Sequence, residues 1–149
     1  MSVDNTKLNK EMYNEIKNIV DLSETEETPL ILLGDFNAHV GFLGSQKINK
    51  NGELLLKSAE DNNLILLNDH PSTEGLITWK RNDQESVIDF ILVNNKMLNF
   101  FQSMIVDESK SMYDLSDHNF ISATFLVMLN AGPKQKSEEF IEHYTQKNM

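Results

Sequence analysis

Apolar runs that do not alternate constrain this chain more than any other feature. LILLG at 30–34 is continuous until Gly34 stops it, LILLN at 64–68 repeats the pattern, and SVIDFILV at 86–93 is broken only by Asp89. A strand with one solvent face alternates apolar and polar residues, whereas a strand apolar at every position is covered on both faces. A chain built on such strands has to be layered.

The segments between the runs supply the rest. Leu8, Met12, Ile16 and Val20 recur at four-residue steps with Tyr13 and Ile19 beside them, which predicts an amphipathic helix ended by the acidic residues 24–27 and Pro29. Residues 41–52 hold three glycines and read as a long loop. Residues 53–62 form a second helix with Leu55, Leu56 and Ala59 inward. Pro71, Ser72 and Gly75 mark a turn. LITWK at 76–80 and SVIDFILV at 86–93, joined by the polar RNDQE, suggest a hairpin. Strands follow at 100–107 and 120–129, separated by a polar loop at 108–119. After Gly132-Pro133 the tail is polar, with only Phe140, Ile141 and Tyr144 for packing, and reads as a short terminal helix or a disordered tail.

The order predicts a mixed α/β (α+β) fold with a largely antiparallel sheet and covering helices. Residues 1–29 supply the first helix and an acidic linker, 30–129 the body of the domain, and 130–149 the tail. Two good helices are too few to cover both faces of such a sheet.

Bulk properties remove alternatives. At 149 residues the chain is one domain, and 40% hydrophobic with 24% charged residues is globular. The absence of cysteine excludes a disulfide scaffold, a thiolate zinc site and a cysteine nucleophile. No apolar run reaches the ~18 residues that span a bilayer, and the N-terminus lacks the pattern of a signal peptide. An intracellular protein without membrane contact is expected. The net charge of −10 cuts against a simple nucleic-acid binder; an acidic chain that handles phosphates needs a bound divalent cation to offset repulsion locally.

Three segments put polar chemistry beside apolar strands: GDFNAHVG at 34–41, IDFILV at 88–93 and LSDHN at 115–119. Asp35 and Asn37 are two apart and can project together from a strand end. Singly, Asp35 also reads as a turn residue, Asn37 as a loop amide and Asp117 as a cap. Asp89 is different, because a carboxylate flanked by Val87, Ile88, Phe90 and Ile91 is costly to bury without a partner. His39 and His70 read as loop residues and His143 belongs to the tail.

Together, GDFN, a Thr-Trp strand leading into IDFILV, and SDHN resemble the endonuclease/exonuclease/phosphatase (DNase I-like) superfamily. PLILLGDFNAHVG, NGELLL before DNNLILLN, and TW…IDFILVN are closest to non-LTR retrotransposon endonuclease domains and to craniofacial-development-protein-like sequences, over residues 8–128. The resemblance implies half of a DNase I-like four-layer β-sandwich. It implies Asp35 as the group that orients or deprotonates the attacking water, and Asn37 as a phosphate and water ligand. His118 would contact the phosphate, Asp89 would orient His118, and Asp117 would be the carboxylate ligand of magnesium, or of manganese in its place. Thr78, Trp79, Ser116 and Asn119 would lie at the substrate, although a lone Trp in a hairpin is more often core.

The same resemblance implies what is absent. The first half of the family domain normally brings a Glu that anchors the metal, an Asn and a Tyr, and residues 1–29 match none of them. The expected function is therefore a magnesium-dependent phosphodiester hydrolase acting on nucleic acid, weak by itself. The rivals are a non-catalytic remnant acting through assembly and a phosphatase for a small phosphoester. The open sheet face is expected to be covered by a second copy or by a complementary half-domain.

Overall fold

The computed structural model describes residues 5–111 and 115–128; the tail at 130–149 and its expected helix lie outside them. The element order is α1 (Asn5–Thr25), β1 (Ile31–Asp35), α2 (Lys50–Asp61) and β2 (Ile65–Leu66), then a 3-10 turn at Leu67–Asp69. It continues with β3 (Thr73–Glu74), β4 (Trp79–Arg81), β5 (Gln84–Ser86), β6 (Asp89–Val93), α3 (Asn95–Leu98), β7 (Phe101–Asp107) and β8 (Phe120–Phe125). These form a mixed α/β fold in three sheets, ordered β1-β6-β2, β3-β7-β8 and β4-β5, with every pairing antiparallel except β3 to β7. Among the described residues, no helix is long and apolar enough to cross a membrane.

β6 explains its own sequence. Phe90 and Leu92 pack with Tyr13, Val20, Leu55 and Ala59 in a core beneath the helices. Ile91 and Val93 point the other way and pack with Leu67, Met97, Met104 and Val106 against the second sheet. The strand is apolar throughout because its alternate residues serve two separate cores. Residues 64–66 divide the same way, with Leu64 and Leu66 in the first core and Ile65 against the second.

β1 departs from that expectation. Leu30, Leu32 and Phe36 face the helices, but Leu33 is 71% exposed and Ile31 36%. Its outer face opens onto a trough of about 530 Å³, with Ile31, Leu33 and Ile91 on one wall and Ile121, Ala123 and Phe125 on the other.

The expected hairpin is shorter than 76–93. It pairs Trp79 with Ser86, Lys80 with Glu85 and Arg81 with Gln84, and it turns through Asn82, which adopts a positive φ of 55°. Val87 and Ile88 then carry the chain into a different sheet, so the apolar run is two strands rather than one. β8 stops at Phe125 instead of 129 because its partner β7 starts at Phe101, the residue paired with Phe125. β2 holds only Ile65–Leu66 before the chain turns away. β3 and α3 carried no signal in the periodicity, being too short to show one.

α2 starts at Lys50, three residues before the expected 53, because Asn49 caps it: its side chain accepts from Gly52 N at 2.8 Å. Gly52 is obligatory by contact, since a Cβ there would lie 1.9 Å from the His39 carbonyl oxygen. The α2 terminus therefore lies directly against the loop that follows β1.

Candidate active site

That loop carries Asn37. Asn49 Nδ2 donates to the Asn37 carbonyl at 2.9 Å, Asn51 Nδ2 donates to the same oxygen at 3.2 Å, and His39 N donates to Asn49 Oδ1 at 3.0 Å. Asn37 N donates to Asp35 Oδ1 at 2.9 Å, which closes a tight turn in which Asn37 takes a φ of 48°.

Asp35 ends β1 and Asp89 begins β6, and the two are directly paired across the antiparallel ladder. His118 comes from the segment before β8, which is tied to β4 by backbone: Trp79 bridges His118, Lys80 N donates to Asp117 O at 2.8 Å, and Asn119 N donates to Thr78 O at 2.7 Å. His118 Nδ1 lies 2.9 Å and 3.1 Å from the two Asp89 oxygens, and Nε2 lies 3.9 Å from Asp35 Oδ2. An acceptor-only carboxylate requires the proton on Nδ1, so Asp89 sets the ring's tautomer. Ligand atoms of Asp35, Asp89 and His118 all lie within 4.8 Å of one another. The two carboxylates suit an oxygen-preferring divalent cation that keeps several of its waters, with the imidazole beside them. The residues fit magnesium or manganese.

The remaining expected residues are arranged differently. Asp117 Oδ2 accepts from the Trp79 indole Nε1–H at 3.1 Å, so this carboxylate, expected to hold the metal, is engaged in pinning its own loop. It is outside the trio that the fold brings together. Thr78 is fully buried, and its hydroxyl accepts from Ile88 N at 2.9 Å and Asp89 N at 3.1 Å. Asn119 is buried as well and donates to the Ile77 carbonyl at 2.6 Å. Both were expected at the substrate; burial puts Thr78 behind the site as a support, whereas Asn119 lines the trough beside Asp35 and Asp89. Ser116, half-buried, accepts from His118 N at 3.0 Å, and its carbonyl accepts from Lys110 Nζ. Trp79 remains half-buried at the edge.

Two supports had no sequence signal as functional residues. Glu108 Oε1 accepts from Leu76 N at 2.5 Å and Ile77 N at 2.9 Å, which anchors the segment leading to Thr78. Asn68, buried in the 3-10 turn after β2, donates to the Asp89 carbonyl at 3.0 Å and accepts from Ile91 N at 3.1 Å. A polar residue closing an apolar run was the only available clue to it.

Comparison with known proteins gives the family and the fold. The solved endonuclease domain of TRAS1, a telomere-specific non-LTR retrotransposon, is similar at a TM-score of 0.65 and 22% identity, over 80% of this chain and 52% of that one. The chain thus shares the DNase I-like fold and spans about half the length of that domain. No curated protein matches. The family profile described as "Endonuclease-reverse transcriptase" matches residues 2–122, and with the Asp–Asp–His trio in place the chain belongs to this family, within the endonuclease/exonuclease/phosphatase superfamily.

Proposed function

We propose that the chain carries part of the catalytic centre of a magnesium-dependent nuclease that hydrolyses phosphodiester bonds in DNA or RNA. The observation that carries this reading is the convergence of Asp35, Asp89 and His118 within 4.8 Å at the ends of separate strands. Asp35 and Asp89 are the carboxylates whose oxygens can share a cation. Asp89 also fixes His118 so that Nε2 faces Asp35 and the open side of the site. From there His118, when it carries a proton on both ring nitrogens, donates to a phosphate oxygen, Asp35 orients the attacking water, and the Asn37 side chain donates to the phosphate. Magnesium, when bound, neutralises charge growing on the phosphoryl and leaving oxygens.

The chain covers 52% of the related TRAS1 domain, which is about twice the matched length. Activity of this chain by itself is therefore weak. The trough beside Asp35 and Asp89 is the surface on which a complementary half-domain or a second copy completes the site. A non-catalytic role through such pairing is the second reading, favoured by the 52% coverage of the TRAS1 domain.

Supercoiled plasmid, abasic DNA, RNA and inositol phosphates, each with and without magnesium, distinguish these. Magnesium-dependent nicking that falls by about 100-fold or more in Asp35→Asn and Asp89→Asn is the expected result. Cleavage confined to inositol phosphates indicates a phosphatase, and no turnover on any substrate indicates the non-catalytic role.

A further inference from the structure

We propose that Asn68 is a positioning residue for the candidate site, acting through the backbone of Asp89; this rests on the reading of Asp35, Asp89 and His118 as a cation site. β2 pairs with β6 only through Ile65 opposite Val93 and Leu66 opposite Leu92, after which the chain turns into a 3-10 turn. A third and fourth rung would have satisfied β6 next to Asp89. The Asn68 carboxamide replaces them, donating to the Asp89 carbonyl and accepting from Ile91 N. Its orientation follows from the partners, because one is a carbonyl and the other an N–H. At its amide, Asp89 N donates to Thr78 Oγ1, which also accepts from Ile88 N. Asp89 is thus gripped at its carbonyl by one side chain and at its amide by another, although β6 has no rung from β2 at that point.

The grip bears on chemistry because the Asp89 carboxylate has to reach both His118 Nδ1 and the space shared with Asp35. A slide of a few tenths of an ångström at the start of β6 changes both distances at once. Residues that orient a ligand from outside the coordination sphere commonly alter metal affinity by about 10–100-fold when removed.

The test compares Asn68→Asp with Asn94→Asp in the full chain. Asp at 68 keeps the acceptor for Ile91 N and loses the donor to the Asp89 carbonyl. Asn94 is another buried clamp, just past the far end of β6, donating to Ser23 Oγ and the Thr28 carbonyl and accepting from Leu30 N and Met97 N, and it touches none of Asp35, Asp89 and His118, so its loss serves as the stability control. Two quantities are read: Mn2+ affinity by calorimetry, and the 15N signature of the His118 ring in metal-free protein. Asn68→Asp is expected to weaken Mn2+ binding by about 10-fold or more and to mix the ring tautomers, whereas Asn94→Asp lowers only the melting temperature. If Asn68→Asp does not fold, Asn68→Ser leaves room for a bridging water, and the same loss of the ring signature is expected. An unchanged ring signature in a folded Asn68 variant, or the same change in Asn94→Asp, overturns the proposal. Mn2+ binding that Asp89→Asn leaves untouched overturns the cation reading instead, and the ring signature still decides the role of Asn68.

Discussion

Asp89 sits between Ile88 and Phe90, where an unpaired carboxylate would be costly to keep. Its two oxygens on His118 Nδ1 make the position tolerable, and the same contact holds the ring for chemistry. Tyr13 is a contrasting buried ionisable group, placed beneath the helices rather than at the site. Burial pushes its phenol from 10.0 up to about 12. A folded-state value above the unfolded one favours the neutral form, so this contribution is complete below pH 10 and is lost as pH rises towards 12. Tyr13→Phe is expected to remove that part of the alkaline destabilisation, seen as a shallower fall of melting temperature across this window.

Among the elements, the join between α2 and the loop after β1 links stability to the site. Asn49 caps the helix through Gly52 N and also holds His39 N and the Asn37 carbonyl. Asn49→Ala is expected to cost about 1–2 kcal/mol, as removal of a capping side chain does, and to lower the melting temperature by about 4 °C for a chain of this size. The Asn37 turn loosens with it, so nicking should fall more than the melting temperature implies. Equal loss in both would reduce Asn49 to a helix cap. Ion pairs on the helices, such as Lys17–Asp21 and Lys57–Asp61, are exposed and contribute little in comparison.

At the scale of the molecule, an apolar trough open to solvent is the dominant feature. Leu33 and Phe120 stand exposed in it, alongside Ile91 and Ile121. Contiguous apolar surface of this kind marks an interface or invites association. Leu33→Glu should leave the melting temperature within a few tenths of a degree to about 1 °C, because an exposed side chain contributes little to folding. It should also reduce binding of an apolar dye and any concentration-dependent growth in size on gel filtration. Unchanged dye binding in this variant would place the sticky surface elsewhere.

Local chemistry determined the longer strands and the first two helices, because apolar runs are readable one stretch at a time, while GDFN, IDF and SDHN singled out Asp35, Asn37, Asp89 and His118 only when taken together. Tertiary structure decided which of those polar groups meet. Asp117 is adjacent to His118 in sequence yet turns to the Trp79 indole, and Thr78 and Asn119 are buried. It also decided that β6 divides its residues between two cores while β1 is left open on one side, and that Asn68 completes a ladder that its own strand abandons. Such outcomes depend on sheet register and on hydrogen-bond groups that become unsatisfied only when distant segments come together, and no single stretch of sequence contains that information.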